Sequence, residues 1–171
     1  MKAKPTHWIA RVALIAAVYA TLTYLAGLAG IAYEQVQFRF SEALCILAAF
    51  TPAAIPGLTL GCLLANLASP LGPIDWICGT VATLLAALVT YALRRWKWLT
   101  PLPAVLFNAV IVGAELAYLF GEDAFWPAFG INALWVGLGE LAMCYGLGLP
   151  LYYLIDRTPP LRSFLTGVKE Q

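Results

Sequence analysis

Seven side chains stand in apolar surroundings with the chemistry to bind something: Arg39, Glu42, Asn66, Asn108, Glu115, Asn132 and Glu140. A charge inside an apolar span is costly to desolvate, so such a residue faces a partner or a cavity. Carboxylates accept N–H donors, amides both donate and accept, and a guanidinium only donates. This is equipment for recognising a polar molecule. Asn108 and Glu115 are seven residues apart, two helical turns, and share one helix face. Asn132 and Glu140 lie about 80° apart around a helix, with Gly137 and Gly139 leaving room beside the acid. Arg39 and Glu42, three apart, are placed to pair on a helix. Glu115 and Glu140 are then left wanting donors, which an N–H-rich ligand or a cation supplies. Trp76, Trp126, Trp135 and Phe107 are candidate walls for a planar ring. The competing reading is that these polar residues join helices by interhelical hydrogen bonds.

Machinery for breaking bonds is missing. Cys45, Cys62, Cys78 and Cys144 are widely spaced in apolar segments, without CxxC or Cys/His ligand spacing, and His7 is the single histidine. The cysteines read as small hydrophobes. No phosphate-binding glycine loop, nucleophile elbow or HExxH helix is present. The expectation is a protein that is not an enzyme and needs no metal or cofactor of its own.

The elements that must position these residues are membrane spans. Of 171 residues, 62% are hydrophobic and 11% charged, with mean hydropathy +0.82, against about 25% charged in soluble domains. A net charge of +1 gives no bulk attraction to nucleic acid. The chain is long enough for six helices of about 20 residues. Apolar stretches and breakers place them at about 8–30, 36–50, 55–67, 74–93, 102–120 and 127–155, one transmembrane domain over 1–171. The first is too long for a signal-peptide core and is expected to be a retained span. Spans two and three are short and separated by Pro52 and Pro56; a re-entrant hairpin is the alternative.

With both termini inside, nine of the ten basic residues lie on the cytoplasmic side and only Arg39 lies near the outer face. Glu34, Asp75, Glu122 and Asp123 then fall in outer loops, and Trp8, Trp96, Trp98 and Trp126 near the interfaces. The buried polar residues occupy the outer half of the spans, a cup with Asn108 and Glu140 near its floor. A path for protons or ions across the bilayer needs polar groups at every depth, so this pattern disfavours one. In the inner half of span one, Ala13 and Ala17 form one small-xxx-small face and Ala16 and Ala20 another, as close helix approach requires.

The stretch Val36–Leu44 (VQFRFSEAL) resembles the second-helix motif of the QueT family. Leu58–Asn66 (LTLGCLLAN), Phe107–Glu115 (FNAVIVGAE) and Gly137–Glu140 (GLGE) resemble it too, and the likeness runs from span one to about Pro150. The resemblance implies an all-α, six-helix S component of an energy-coupling factor (ECF) transporter in a prokaryotic cell membrane. It implies an outward-facing site for queuosine precursors, 7-deazaguanine bases, and docking on a transmembrane T component driven by two cytoplasmic ATPases that use the ATP. The docking face on helix one maps to Ala13 and Ala17. A guanine-like edge presents adjacent N–H donors to a carboxylate, and an aminomethyl substituent would pair with a second carboxylate. One of Glu115 and Glu140 is assigned each task, in either order. The rival reading is a self-sufficient secondary transporter or channel; a membrane enzyme and a purely structural subunit are further competitors.

Overall fold

The computed structural model describes residues 5–28 and 39–167. Glu34, the terminal lysines Lys2, Lys4 and Lys169, and the first three residues of the Val36–Leu44 motif lie outside the described residues. Among the described residues there are seven α-helices: α1 (Pro5–Leu28), α2 (Ala54–Asn66), α3 (Pro73–Ala92), α4 (Leu102–Phe120), α5 (Phe125–Met143), α6 (Leu149–Arg157) and α7 (Pro159–Thr166). A 3₁₀ helix over Phe40–Ala49 precedes α2, and a π-helical segment, Cys144–Gly148, joins α5 to α6. No strand occurs among the described residues.

Among the described residues, four helical stretches are long and apolar enough to cross a membrane: Thr6–Leu28, Pro73–Ala92, Lys97–Phe120 and Phe125–Arg157. They are apolar all round. In α1, Val12, Ile15 and Tyr19 are buried while Leu14, Val18 and Leu25 are exposed, the pattern of a helix whose outer face meets lipid rather than water. The other two apolar helices are short. Ten residues of 3₁₀ helix rise about 20 Å, and the thirteen of α2 about the same, each less than a hydrocarbon core of about 30 Å.

Short as it is, the 3₁₀ helix sits at the centre. Ser41, Glu42, Ala43, Cys45, Ile46, Leu47 and Ala48 are all buried, and α1, α2, α3, α5, α6 and the π-helical segment pack around it. Helices close on one another where side chains are missing. A Cβ at Gly57 would stand 2.9 Å from Ile15 Cβ, and one at Gly61 2.8 Å from the Ala16 carbonyl oxygen, so α2 lies directly on α1. A Cβ at Gly113 would stand 2.8 Å from the Ala133 backbone, so α4 lies on α5 in the same way. Ala16 and Ala20 are therefore consumed inside the bundle, whereas Ala13 and Ala17 face outward.

Two breakers shape the remaining path. Gly72 takes φ +72°, which a residue without Cβ adopts freely, and Pro73 then opens α3 where its lost N–H is harmless. Pro150 cannot donate to the carbonyl of Gly146, four residues back, and its ring crowds that carbonyl. The backbone at Cys144–Gly148 widens into a π-helical turn at this point. Around α6 and α7, Lys97 Nζ meets Asp156 Oδ2 at 2.7 Å, and Arg11 Nη1 donates to the Leu165 carbonyl at 3.0 Å.

A candidate binding site of buried carboxylates

Four carboxyl side chains, Glu42, Asp75, Glu115 and Glu140, are buried among the described residues, with Arg39 the one buried cation beside them. Five elements converge to place them: the start of the 3₁₀ helix (Arg39 before it, Glu42 in its first turn), the end of α2 (Asn66), the start of α3 (Asp75), the middle of α4 (Asn108 and Glu115) and the end of α5 (Glu140).

Arg39 forms an ion pair with Asp75 and has Glu42 within electrostatic reach. It precedes the 3₁₀ helix in extended conformation, φ −90° and ψ 98°, so the spacing that aligns residues on one helical turn does not apply to it. Its guanidinium faces Asp75, Nη2 to Oδ2 at 3.6 Å, and Nη1 donates to Asn66 Oδ1 at 3.4 Å. Asn66 uses its other end as a clasp, donating through Nδ2 to the Asp75 carbonyl at 3.0 Å. Gly79 leaves the space for this: a Cβ there would strike Asn66 Nδ2 and stand 3.2 Å from Asp75 Oδ1.

Asp75 corrects the sequence-based assignment to an outer loop. It is wholly buried, because Pro73 starts α3 two residues before it and turns it into the bundle toward Arg39. Neither of its carboxylate oxygens accepts a hydrogen bond, and neither does either oxygen of Glu115. Glu115 lies within electrostatic reach of Asp75 and Arg39. The indole N–H of Trp76 and the amide nitrogen of Asn108 are likewise buried without hydrogen-bond partners. Buried polar atoms left unmatched cost about 1–3 kcal/mol each, so their concentration in one region marks a place built for something else to complete.

Glu42 and Glu140 are better satisfied. Tyr19 donates its hydroxyl to Glu42 Oε1, and the Cys45 thiol donates to Oε2 at 3.1 Å. The Cys144 thiol faces Glu140 Oε2 at 3.5 Å and the Glu42 carbonyl at 3.7 Å, so one sulfur links the two irregular helices. Asn108 lies beside Glu140. Three of the four cysteines are thus buried, and Cys45 and Cys144 serve as donors to carboxylates as well as packing.

The remaining candidates divide. Asn132 is only half-buried. Trp126 is 76% exposed and Trp135 42%, so these two rings face outward rather than walling the site. Trp76 turns its nitrogen inward.

A family model described as QueT transporter matches residues 9–157. The chain belongs to the QueT transporter family. All seven residues singled out from the sequence lie inside the matched stretch, as do Asp75, Ala13 and Ala17. The family is one of transporters rather than enzymes. The queuosine precursor transporter QueT of Lactococcus lactis subsp. cremoris (strain MG1363) is 39% identical over 85 residues, 50% of this chain and 50% of that protein. The aligned stretch therefore spans about half the length of that relative. No solved structure matches the chain.

Proposed function

We propose that this protein is the substrate-binding membrane subunit of an uptake system for queuosine precursors, capturing a 7-deazaguanine base from outside the cell. The observation that carries this is the pair Asp75 and Glu115: four buried carboxylate oxygens without hydrogen-bond donors, in a chain of the QueT transporter family. A guanine-type base is rich in the missing groups. Its N1–H and exocyclic amine present adjacent donors, while its carbonyl accepts from an amide such as Asn108. Arg39, Glu42, Asn66, Asn108, Glu115, Asn132 and Glu140 form the binding region in this reading, with Asp75 added.

In the same reading six helices span the cell membrane of a prokaryote with both termini in the cytoplasm, the 3₁₀ helix and α2 counting as the two short spans. The subunit delivers its ligand by reorienting on an ECF T component and two ATPases, and the ATP is used by those partners. The outward-facing Ala13 and Ala17 supply a close-approach surface for such a partner.

The test is thermal denaturation of the detergent-purified protein against purine and deazapurine bases. A ligand that binds only the folded state at about 100 times its Kd adds about 2.7 kcal/mol. Stabilisation by 7-deazaguanines, reduced in both Glu115→Gln and Glu140→Gln, is the expected result. Silence across deazaguanines with a response to another vitamin would overturn the ligand. The second reading, a self-sufficient secondary transporter, predicts uptake into liposomes containing this polypeptide alone; on the first reading such liposomes take up nothing.

A further inference from the structure

Arg11, Leu14 and Val18 recur at the spacing that puts residues on one side of a helix. They line a crevice of about 130 Å³ to which the 3₁₀ helix adds Leu44 and Leu47, and α7 adds Phe164 and Leu165. Every lining residue except Arg11 is apolar. Leu47 and Leu165 are buried while Leu14, Val18 and Phe164 are exposed, so the crevice opens on the apolar outer surface of the bundle. Seven residues of α1 rise about 10 Å, and the apolar lining therefore runs from Arg11 toward the middle of the span.

Arg11 donates through Nη1 to the Leu165 carbonyl at 3.0 Å. Gly167 ends α7 against the same guanidinium, where a Cβ would strike Nη2. A guanidinium has five N–H donors, and among the described residues no carboxylate pairs with this one. More cations stand at this end of the bundle. Arg94, Arg95 and Arg157 are exposed there, beside the Lys97–Asp156–Arg162 cluster that reaches α7. A basic surface of this kind draws anionic lipid headgroups.

We propose that the crevice binds one acyl chain of an anionic phospholipid, with Arg11 holding its phosphodiester. Such a molecule is negative where the crevice has its cation and apolar where the crevice is apolar. A guanidinium suits a phosphate through parallel N–H···O bonds. An inserted peptide would leave backbone N–H and C=O groups unmatched against these walls, whereas an acyl chain has none to match. The site shares no residue with the carboxylate cluster and does not depend on the purine reading.

Native mass spectrometry of the detergent-purified protein tests it, with equimolar phosphatidylglycerol and phosphatidylcholine of the same chains. The wild type is expected to retain one lipid and to favour phosphatidylglycerol at least about fivefold, the scale of one basic residue at an anionic headgroup. Arg11→Gln should lower that preference by about fivefold, and Arg11→Lys, which keeps the charge, should retain most of it. Val18→Phe fills the crevice and should reduce retention of both lipids together. Val18 is exposed, so this variant tests the crevice even if loss of the Arg11–Leu165 bond weakens the fold. Equal retention of both lipids by the wild type, or a preference unchanged in Arg11→Gln, overturns the site. Unchanged retention in Val18→Phe overturns it by placing the lipid elsewhere. Displacement of phosphatidylglycerol by glycerol 3-phosphate overturns it in favour of an anion site without a chain. A dimer without bound lipid, abolished in Val18→Phe, overturns it in favour of contact between two copies.

Discussion

Glu42 accepts from the Tyr19 hydroxyl on one oxygen and the Cys45 thiol on the other, an arrangement that keeps a central carboxylate satisfied with no ligand. Tyr19→Phe removes one donor while keeping the ring, and should destabilise the protein by about 1–3 kcal/mol. An unchanged melting temperature would contradict that role for Tyr19. At the other end of the site, Gly79→Val should abolish ligand-dependent stabilisation, because any Cβ there collides with the Asn66 amide that clasps Asp75. Retained stabilisation by ligand in this variant would show that the Asn66 clasp is dispensable. At this scale the sequence was readable wherever the backbone was regular. Asn108 and Glu115 share a face because α4 is an unbroken α-helix. The ion pair of Arg39 with Asp75 was not legible, since an extended residue obeys no helical spacing. Asp75 was missed because a charge following Gly-Pro has the composition of a loop. The available signal was Pro73 itself, which opens helices, and puts the third residue of α3 inside rather than beyond the span.

The all-helical, apolar character of the chain was legible, because an apolar run bounded by Pro and Gly leaves little freedom in what it can form. The winding was not. Nothing in FSEALCILAA distinguishes ten residues of 3₁₀ helix from α-helix, since the difference lies in how six neighbouring elements crowd it. The π-helical turn was half-signalled by Pro150. Glycines separate close contacts from loose ones within a single interface. Gly113→Ala puts a methyl 2.8 Å from the Ala133 backbone, whereas Gly137→Ala meets Ala109 Cβ at an ordinary 3.4 Å. The first should destabilise by about 1–3 kcal/mol and the second by less than about 0.5 kcal/mol, since helical Gly→Ala is intrinsically favourable. Equal melting temperatures for the two variants would show that α4 and α5 are not closely packed at Gly113.

For the whole molecule, α7 is tied back to α1 by Arg11, whose guanidinium donates to the carbonyl of Leu165 and lies against Gly167 at the end of the helix. Arg11→Ala should speed proteolytic cleavage around α7 severalfold and leave ligand affinity unaltered; an unchanged cleavage rate would mean that α7 is held by its apolar side alone. The fit of α2 against α1 has a mechanical consequence. At Gly57 and Gly61 the two helices touch backbone to side chain with no compliant atoms between them. A push delivered to the outward Ala13–Ala17 face is therefore carried without slack into α2, a strut about 20 Å long. Its far end is Asn66, which grips both Arg39 and the Asp75 backbone. The outer Ala13–Ala17 surface and the carboxylates thus stand at the two ends of one run of close contacts.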